Sequence, residues 1–496
     1  MSRQKSFGKN TAWMSLAASG MSLVSFLVFI IISRILSPDE IGLVVFAILV
    51  VETGKILING GISVGIVQRR EWDTDYASTC FYLTVLYGMF ITALVLLVGV
   101  PLTQKYYDPA AVPVLQVLSV IFMLEAIKVV HDGKLRREQR FNVIALRAIS
   151  TSIISGVLGV TLAIQGYGIW ALVAQQLCGQ LLFTLVTIIS ARWWPNWQFS
   201  LSRAREALHF SAPMMLAQFV NTLCNTLVDF MVGIILGPIA LGTYRIAGRA
   251  LFILQDIIIR PLEQTTLPAL ARLEEKVARA NATLRIMRIS SFIILPIFFG
   301  TAAVAAEFIE LVFGAKWRMS GELMSWLAIG STPFAIRLQV NSALAAEGKS
   351  SWVLANMLST LAATLIIGYL VIPYGVNYAA IAYVIINYLS GFISLLFFYY
   401  LFRTPFKTIL NALWPSYVAA GIMLLICLAV KQQLPDTLPQ TLQIIAICAV
   451  GGISYLALGV LIFRRETNNF IGECLTLLPA KFSPLLMRLQ GWFRLN

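Results

Sequence analysis

The stretch "ILSPDEIG" (Ile35–Gly42) closes one apolar run and opens another, and "ILGPIALG" (Ile235–Gly242) does the same 200 residues later. At that spacing Ile35 falls on Ile235, Leu36 on Leu236, Pro38 on Pro238, Gly42 on Gly242 and Ala47 on Ala247. Matches kept in one order mark an internal repeat. In each copy the proline is expected to start a tight bend between two helices, and the glycine to let the chain turn into the second one.

Further matches follow once the offset slips to 209. "AIK" (Ala126–Lys128) falls on "AIR" (Ala335–Arg337), Glu138 on Glu347, Arg140 on Lys349, and Ser150–Thr151 on Ser359–Thr360. "YG" at Tyr167–Gly168 then meets "YG" at Tyr374–Gly375. Apolar runs of roughly 20 residues, enough to cross the hydrocarbon core as helices, recur along the chain. About 14 spans are expected, and six of them separate the two copies of the opening stretch. That number is even, so the halves share one orientation and are related by an axis near the membrane normal. The expected fold is an all-α integral membrane protein with two pseudo-symmetric six-helix bundles, residues 1–200 and 201–405. Two more helices (406–465) and a cytoplasmic amphipathic tail (466–496) follow, the tail carrying "AKFSPLLMRLQGWFRLN" (Ala480–Asn496).

Composition agrees with a membrane chain. Of 496 residues 58% are hydrophobic and 12% charged, and the mean hydropathy is +0.81. A water-soluble domain of that make-up would expose large apolar patches. The net charge of +14 is explained by position. With the N-terminus in the cytoplasm, that side holds about 26 of the 37 basic residues, the opposite side about five and the spans about six. Both termini are therefore expected in the cytoplasm, with the basic excess facing anionic lipid and not nucleic acid. Arg3, Lys5 and Lys9 precede a long first run without a small-residue cleavage site, so that run is expected to be a retained helix.

Enzyme signatures are thin. His131 and His209 are the only histidines, and they stand at cytoplasmic ends of spans, where no HExxH, paired-His metal site or His-based triad is built. "EGKS" (Glu347–Ser350) has the end of a phosphate loop, but Ala343 stands where its first glycine belongs. The six cysteines, Cys80, Cys178, Cys224, Cys427, Cys448 and Cys474, lack CxxC spacing and are expected to be buried small residues.

Charge within the bilayer remains. Each such group costs about 2.5–3.5 kcal/mol at a helix centre, so it needs a partner or a wet cavity. The candidates are Glu52 and Lys55, Glu125 and Lys128, Arg147, Asp229, Arg245, Arg249, Asp256 and Arg337. Glu52/Lys55 and Glu125/Lys128 are i,i+3, where self-neutralisation and ligand contact are equally open. Arg245, Arg249 and Asp256 share one helical face, and Asp229 on the adjoining span is placed to pair with Arg245. Lys128 and Arg337 are equivalent in the repeat, whereas Arg245 and Arg249 fall on Val45 and Leu49. The basic face is therefore peculiar to the second half. Arginine suits phosphate because its fork of donors stays charged and matches two oxygens at once.

Six stretches in order, "SRILSPDEIGLVVFA" (Ser33–Ala47), "GISVGIVQRRE" (Gly61–Glu71), "REQRFN" (Arg137–Asn142), "ILGPIALGTYRIAGR" (Ile235–Arg249), "LPALARLEE" (Leu267–Glu275) and "LVFGAKW" (Leu311–Trp317), carry a resemblance. The chain resembles the bacterial polysaccharide (O-antigen type) flippases of the multidrug/oligosaccharidyl-lipid/polysaccharide superfamily, in particular its colanic-acid exporter-like branch. The resemblance implies a carrier in the bacterial cytoplasmic membrane that moves a polyprenyl-diphosphate-linked oligosaccharide to the outer leaflet by alternating access. It implies membrane lipids and other polysaccharide-assembly proteins as surroundings, no cofactor, and coupling to H+ or Na+ as an open matter. Arg249 occupies a recurring family motif position. A stepwise hand-over is expected, from Lys55, Lys128, Arg147 and Arg337 near the cytoplasmic side to Arg249 and Arg245 further out, with Asp229, Asp256, Glu52 and Glu125 as pairing or ion-coupling groups. The rivals are a drug or metabolite antiporter of the same superfamily, which would need an embedded acid for cations, and a membrane polymerase or ligase, which would need a long outer loop.

Overall fold

The computed structural model describes residues 20–59, 61–69, 71–435 and 438–461; the expected amphipathic tail and Cys474 lie outside them. In chain order the helices are α1 (Gly20–Ile35), α2 (Pro38–Asn59), α3 (Ile62–Gln68), α4 (Thr74–Leu94), α5 (Val100–Tyr106), α6 (Ala111–Leu118), α7 (Val120–Arg137), α8 (Phe141–Ile164) and α9 (Ile169–Ala191). They continue with α10 (Leu201–Leu236), α11 (Pro238–Ala271), α12 (Lys276–Phe313), α13 (Arg318–Ser331), α14 (Pro333–Ala346), α15 (Ser350–Val371), α16 (Val376–Phe402), α17 (Phe406–Gln433) and α18 (Gln440–Leu461).

Among the described residues, eleven helical stretches are long and apolar enough to cross a bilayer. The other three expected spans are helical too. One is α1, one is α11 with its load of Arg245, Arg249 and Asp256, and one is α13 followed by α14. That last span is interrupted at Pro333, which has no N–H to continue the ladder and begins α14. Pro101 has a similar effect between α4 and α5: lacking an N–H, it leaves the Val100 N–H to reach back five residues to the Val95 carbonyl, giving a π-turn over Val95–Gly99.

Packing gathers the chain into two compact units, the first Met1–Arg245 with Ile372–Val376, the second Ile246–Val371 with Asn377–Asn496. In the first, α7 is the central post, set against α2, α3, α4 and α9 through fully buried Phe122, Val129 and Val130. In the second, α12 is the post, set against α13, α14, α17 and α18. Its apolar face closes on Ala419, Met423 and Cys427 through Leu295, Phe299 and Ala303. The packing boundary falls within α11, beyond the repeat boundary at residue 200, because α10 lies on α2, α3 and α4.

The doubled stretch does something its glycines did not announce. The first bend is made by a capping box: Ser37 is the cap, Pro38 takes the first helical position, the Ser37 N–H donates to Glu40 Oε2 at 2.8 Å and the Glu40 N–H to Ser37 Oγ at 3.3 Å. The second bend is made by Gly237, at φ +85°, a conformation that glycine adopts without penalty. Gly42 and Gly242 are not turn residues. They lie inside α2 and α11 and let the two helix starts touch. A methyl group added to Gly42 would sit 2.5 Å from the Pro238 carbonyl carbon, and one on Gly242 3.1 Å from the Pro38 carbonyl carbon and the Gly42 nitrogen. The contact is reciprocal, as a local twofold requires. Tyr107 closes over it, donating its hydroxyl to the Gly42 carbonyl at 2.9 Å and stacking on Phe46 with centroids 3.9 Å apart.

Candidate functional site

Three helices of the first unit each turn one heptad-like face to a common polar cluster. From α2 come Glu52, Lys55 and Asn59; from α7, Glu125, Lys128 and Asp132; from α9, Gln180, Phe183 and Thr187. The spacings i, i+3 and i+7 place each trio along one stripe. Glu125 is the hub, with 1% of its surface exposed. Its carboxylate accepts from Lys128 Nζ at 2.8 Å, Asn59 Nδ2 at 2.6 Å and Gln180 Nε2 at 2.7 Å. A buried charge held by three donors from three helices is fully satisfied.

The cations around it differ in access. Lys55 pairs with Glu52 at 2.9 Å, and its side chain is 20% exposed. Lys128 is 13% exposed and lies 4.8 Å from the Phe183 ring centre. Arg147, from α8, is sealed, with 1% of its side chain exposed. It donates to Asp132 Oδ1 at 2.8 Å and Thr187 Oγ1 at 2.6 Å, and its guanidinium lies 4.0 Å from the same Phe183 ring. Asp132 also holds Arg136 at 2.6 Å. Arg147 thus ties α7, α8 and α9 together, while Lys55 and Lys128 keep part of their surface open.

The repeat supports that division of labour. Shifted by 209, Asp132 and Arg147 become Asn341 and Asn356; shifted by 207, the register of the "YG" match, Thr187 becomes Ser394. In the second unit these three are again joined: Asn356 Nδ2 donates to Asn341 Oδ1 at 2.8 Å and to Ser394 Oγ at 2.9 Å. One three-helix lock is built twice, charged in one half and neutral in the other. Lys128 maps to Arg337, whose guanidinium stands 5.0 Å from the Phe334 ring centre.

Asp229, 5% exposed, and Arg245 form an ion pair at 2.7 Å, with the arginine side chain 24% exposed. Arg249, Asp256 and Arg337, in the second unit, are each half-buried, and each interacts with its surroundings. Of the described cysteines, Cys80 and Cys427 are buried, Cys178 and Cys224 half-buried, and Cys448 is exposed, which corrects the expectation of uniform burial. Asn59, Asp132, Gln180, Phe183 and Thr187 were not among the sequence candidates. Asp132 and Asn59 were legible in principle, each lying seven residues after a candidate acid on its own helix. Gln180, Phe183 and Thr187 stand on a span with no charge to draw attention to them.

A family model described as "Polysaccharide biosynthesis protein" matches residues 31–322. The succinoglycan biosynthesis transport protein ExoT of Rhizobium meliloti (strain 1021) is 23% identical over 326 residues, 66% of this chain and 66% of the relative. The lipopolysaccharide biosynthesis protein WzxC of Escherichia coli (strain K12) is 23% identical over 341 residues, 66% and 67% of the two chains. The matched stretch therefore spans about two thirds of these relatives' length. Among solved structures, the lipid II flippase MurJ in an inward closed conformation superposes with a TM-score of 0.73 at 14% identity, covering 91% of this chain and 99% of the other. An inward-facing multidrug resistance MATE family transporter of the MOP superfamily gives 0.61 at 14% identity, covering 79% and 98%. At such identities the likeness is one of fold.

Proposed function

The chain belongs to the polysaccharide biosynthesis protein family, and from that premise we propose that it is a transporter, not an enzyme, carrying a polyprenyl-diphosphate-linked oligosaccharide across the bacterial cytoplasmic membrane. The observation that supports this most is the partly open pair Lys55 and Lys128. Each holds an ammonium group beside a carboxylate that it already neutralises, so an arriving diphosphate exchanges one anionic partner for another. The Glu125 carboxylate released from Lys128 remains held by Asn59 and Gln180, which limits the cost of the exchange. Arg245 and Arg249, four residues apart on α11, offer the next donors along one helical face. The positive-inside count supports a topology with both termini in the cytoplasm.

The names of the relatives agree with this chemistry: one is a succinoglycan transport protein, another a lipopolysaccharide biosynthesis protein. A drug antiporter is the weaker reading, since Glu52, Glu125, Asp132 and Asp229 each already face a cation. The test is reconstitution in liposomes with a defined diphosphate-linked oligosaccharide and a reagent that labels sugar in one leaflet only. Transfer should be protein-dependent and should fall when Lys55 and Lys128 are both replaced by Gln. Transfer of a cationic dye at the same rate by wild type and the double variant, with none of the glycolipid, would overturn the proposal.

A further inference from the structure

The segment joining α9 to α10, residues 192–200, is irregular backbone rich in aromatics. One of them is a plug: Trp193 is 8% exposed and meets Trp72 and His131 edge-on at 5.6 Å and 5.3 Å. The backbone around it is pinned at several points. The Ala191 carbonyl accepts from Lys134 Nζ at 2.8 Å, the Ser190 carbonyl from Arg140 at 2.6 Å, and the Asn196 N–H donates to Ser78 Oγ at 2.8 Å.

That rigid base presents the neighbouring apolar side chains outward: Trp194 is 73% exposed, Trp197 95%, Phe199 54% and Leu201 79%. Four large apolar groups within eight residues, held out by a fixed backbone, form a patch that water does not suit. Hydrocarbon does not suit it either, because an irregular backbone facing lipid tails leaves its peptide groups unsatisfied. The zone that accepts both is the headgroup region, where tryptophan is enriched. Arg192 and Arg205 flank the aromatics and are exposed. A hollow of about 470 Å³ opens beside Trp197, lined also by Asp75, Thr79, Ser200 and Arg203, the arginine already paired with Asp73 and Asp75.

We propose that this linker is a lipid-docking site: its exposed aromatics seat in the headgroup layer of the cytoplasmic leaflet, and Arg192 and Arg205 engage anionic phospholipid. Because Trp193 fixes the linker to the first unit and Leu201 begins α10, the bilayer itself then holds the start of α10 in place. Each arginine near an anionic surface is worth roughly fivefold in local lipid occupancy.

The test is a spin label at Trp197→Cys in a variant lacking the native cysteines, with the full chain in nanodiscs. Accessibility to oxygen and to a water-soluble nickel chelate is read in phosphatidylcholine with and without phosphatidylglycerol, taking exposed Lys349→Cys as the aqueous reference. The expected result is an oxygen-favoured label in phosphatidylglycerol nanodiscs, a shift toward nickel in pure phosphatidylcholine, and the same shift when Arg192 and Arg205 are replaced by Gln. A label as open to nickel as the one at Lys349→Cys, or one blind to lipid charge and to both arginines, overturns the proposal.

Discussion

Glu125 receives donors from α2, α7 and α9 at once, so its loss leaves Lys128, Asn59 and Gln180 without their acceptor. Removing one side of such a buried charged contact typically costs about 3–5 kcal/mol. Glu125→Ala is therefore expected to lower the unfolding temperature of the detergent-solubilised protein sharply. Glu125→Gln keeps one carbonyl acceptor and is expected to fall between it and wild type. At the polar margin, Asp73 caps α4, accepting from the Tyr76 and Asp75 N–H groups, both at 3.0 Å, and from Arg203 at 2.9 Å. Those backbone donors, the Tyr76 N–H above all, with help from the arginines, hold its carboxyl below the usual carboxylate range. A lowered folded-state value means that the stabilisation is complete above the unfolded value and lost as pH falls through the folded one. Thermal unfolding followed from neutral pH to pH 3 should show this acid loss in wild type, and Asp73→Asn should remove that part of the pH dependence.

The two locks make the element scale testable. Helices α7, α8 and α9 are joined by Asp132, Arg147 and Thr187, and their repeat equivalents by Asn341, Asn356 and Ser394. The neutral version shows that two asparagines span this gap between helices. Arg147→Ala, which leaves half-buried Asp132 with only the outer Arg136, is expected to cost up to about 3–5 kcal/mol, whereas the double variant Asp132→Asn/Arg147→Asn should recover most of that, read as unfolding temperature. A double variant no better than the single one would mean that the first unit does not tolerate the neutral lock. Glycines divide in the same way. Any side chain at Gly42 strikes the Pro238 backbone, and Gly42→Val should cost about 1–3 kcal/mol as overpacking does; Gly421, within α17 and with open space around it, should accept Ala with a gain of about 0.5–1 kcal/mol. The sequence pattern reveals the helices and the repeat because apolar length and matched order are local properties of a chain. What it does not reveal is that Gly42 serves a contact with a segment 200 residues away, since glycine at a helix start reads equally well as a turn.

Across the whole molecule, the repeat separates what frames the protein from what acts. The register that carries Pro38 onto Pro238 and Gly42 onto Gly242 also pairs them crosswise in space, Gly42 against Pro238 and Gly242 against Pro38, and the later register carries one lock onto the other. Contacts closed in both halves are therefore scaffold, and Arg147, a cation by sequence like the rest, belongs to that scaffold; Lys128, although matched by Arg337, keeps part of its surface open and does not. The distinction was hidden in the sequence because charge within a span reveals cost, not access; only the partners and the exposure separate sealed Arg147 from open Lys55, Lys128 and Arg245. Arg245 and Arg249 fall where the first half has Val45 and Leu49, so the asymmetry lies on the proposed route of the anion. This yields a prediction with two separable readouts, export of the lipid-linked repeat unit in cells and the amount of protein in the membrane. Lys55→Ala, whose partner Glu52 is exposed, and Arg249→Ala should leave a normal amount of protein and reduce export per molecule about tenfold or more, the scale of one or two charge-assisted hydrogen bonds. Arg147→Ala should do the opposite, lowering the amount while the surviving molecules export at close to the wild-type rate. If Arg249→Ala exports normally at a normal protein level, the hand-over along α11 is wrong; if Arg147→Ala is abundant and inactive, Arg147 belongs to the route and not to the frame.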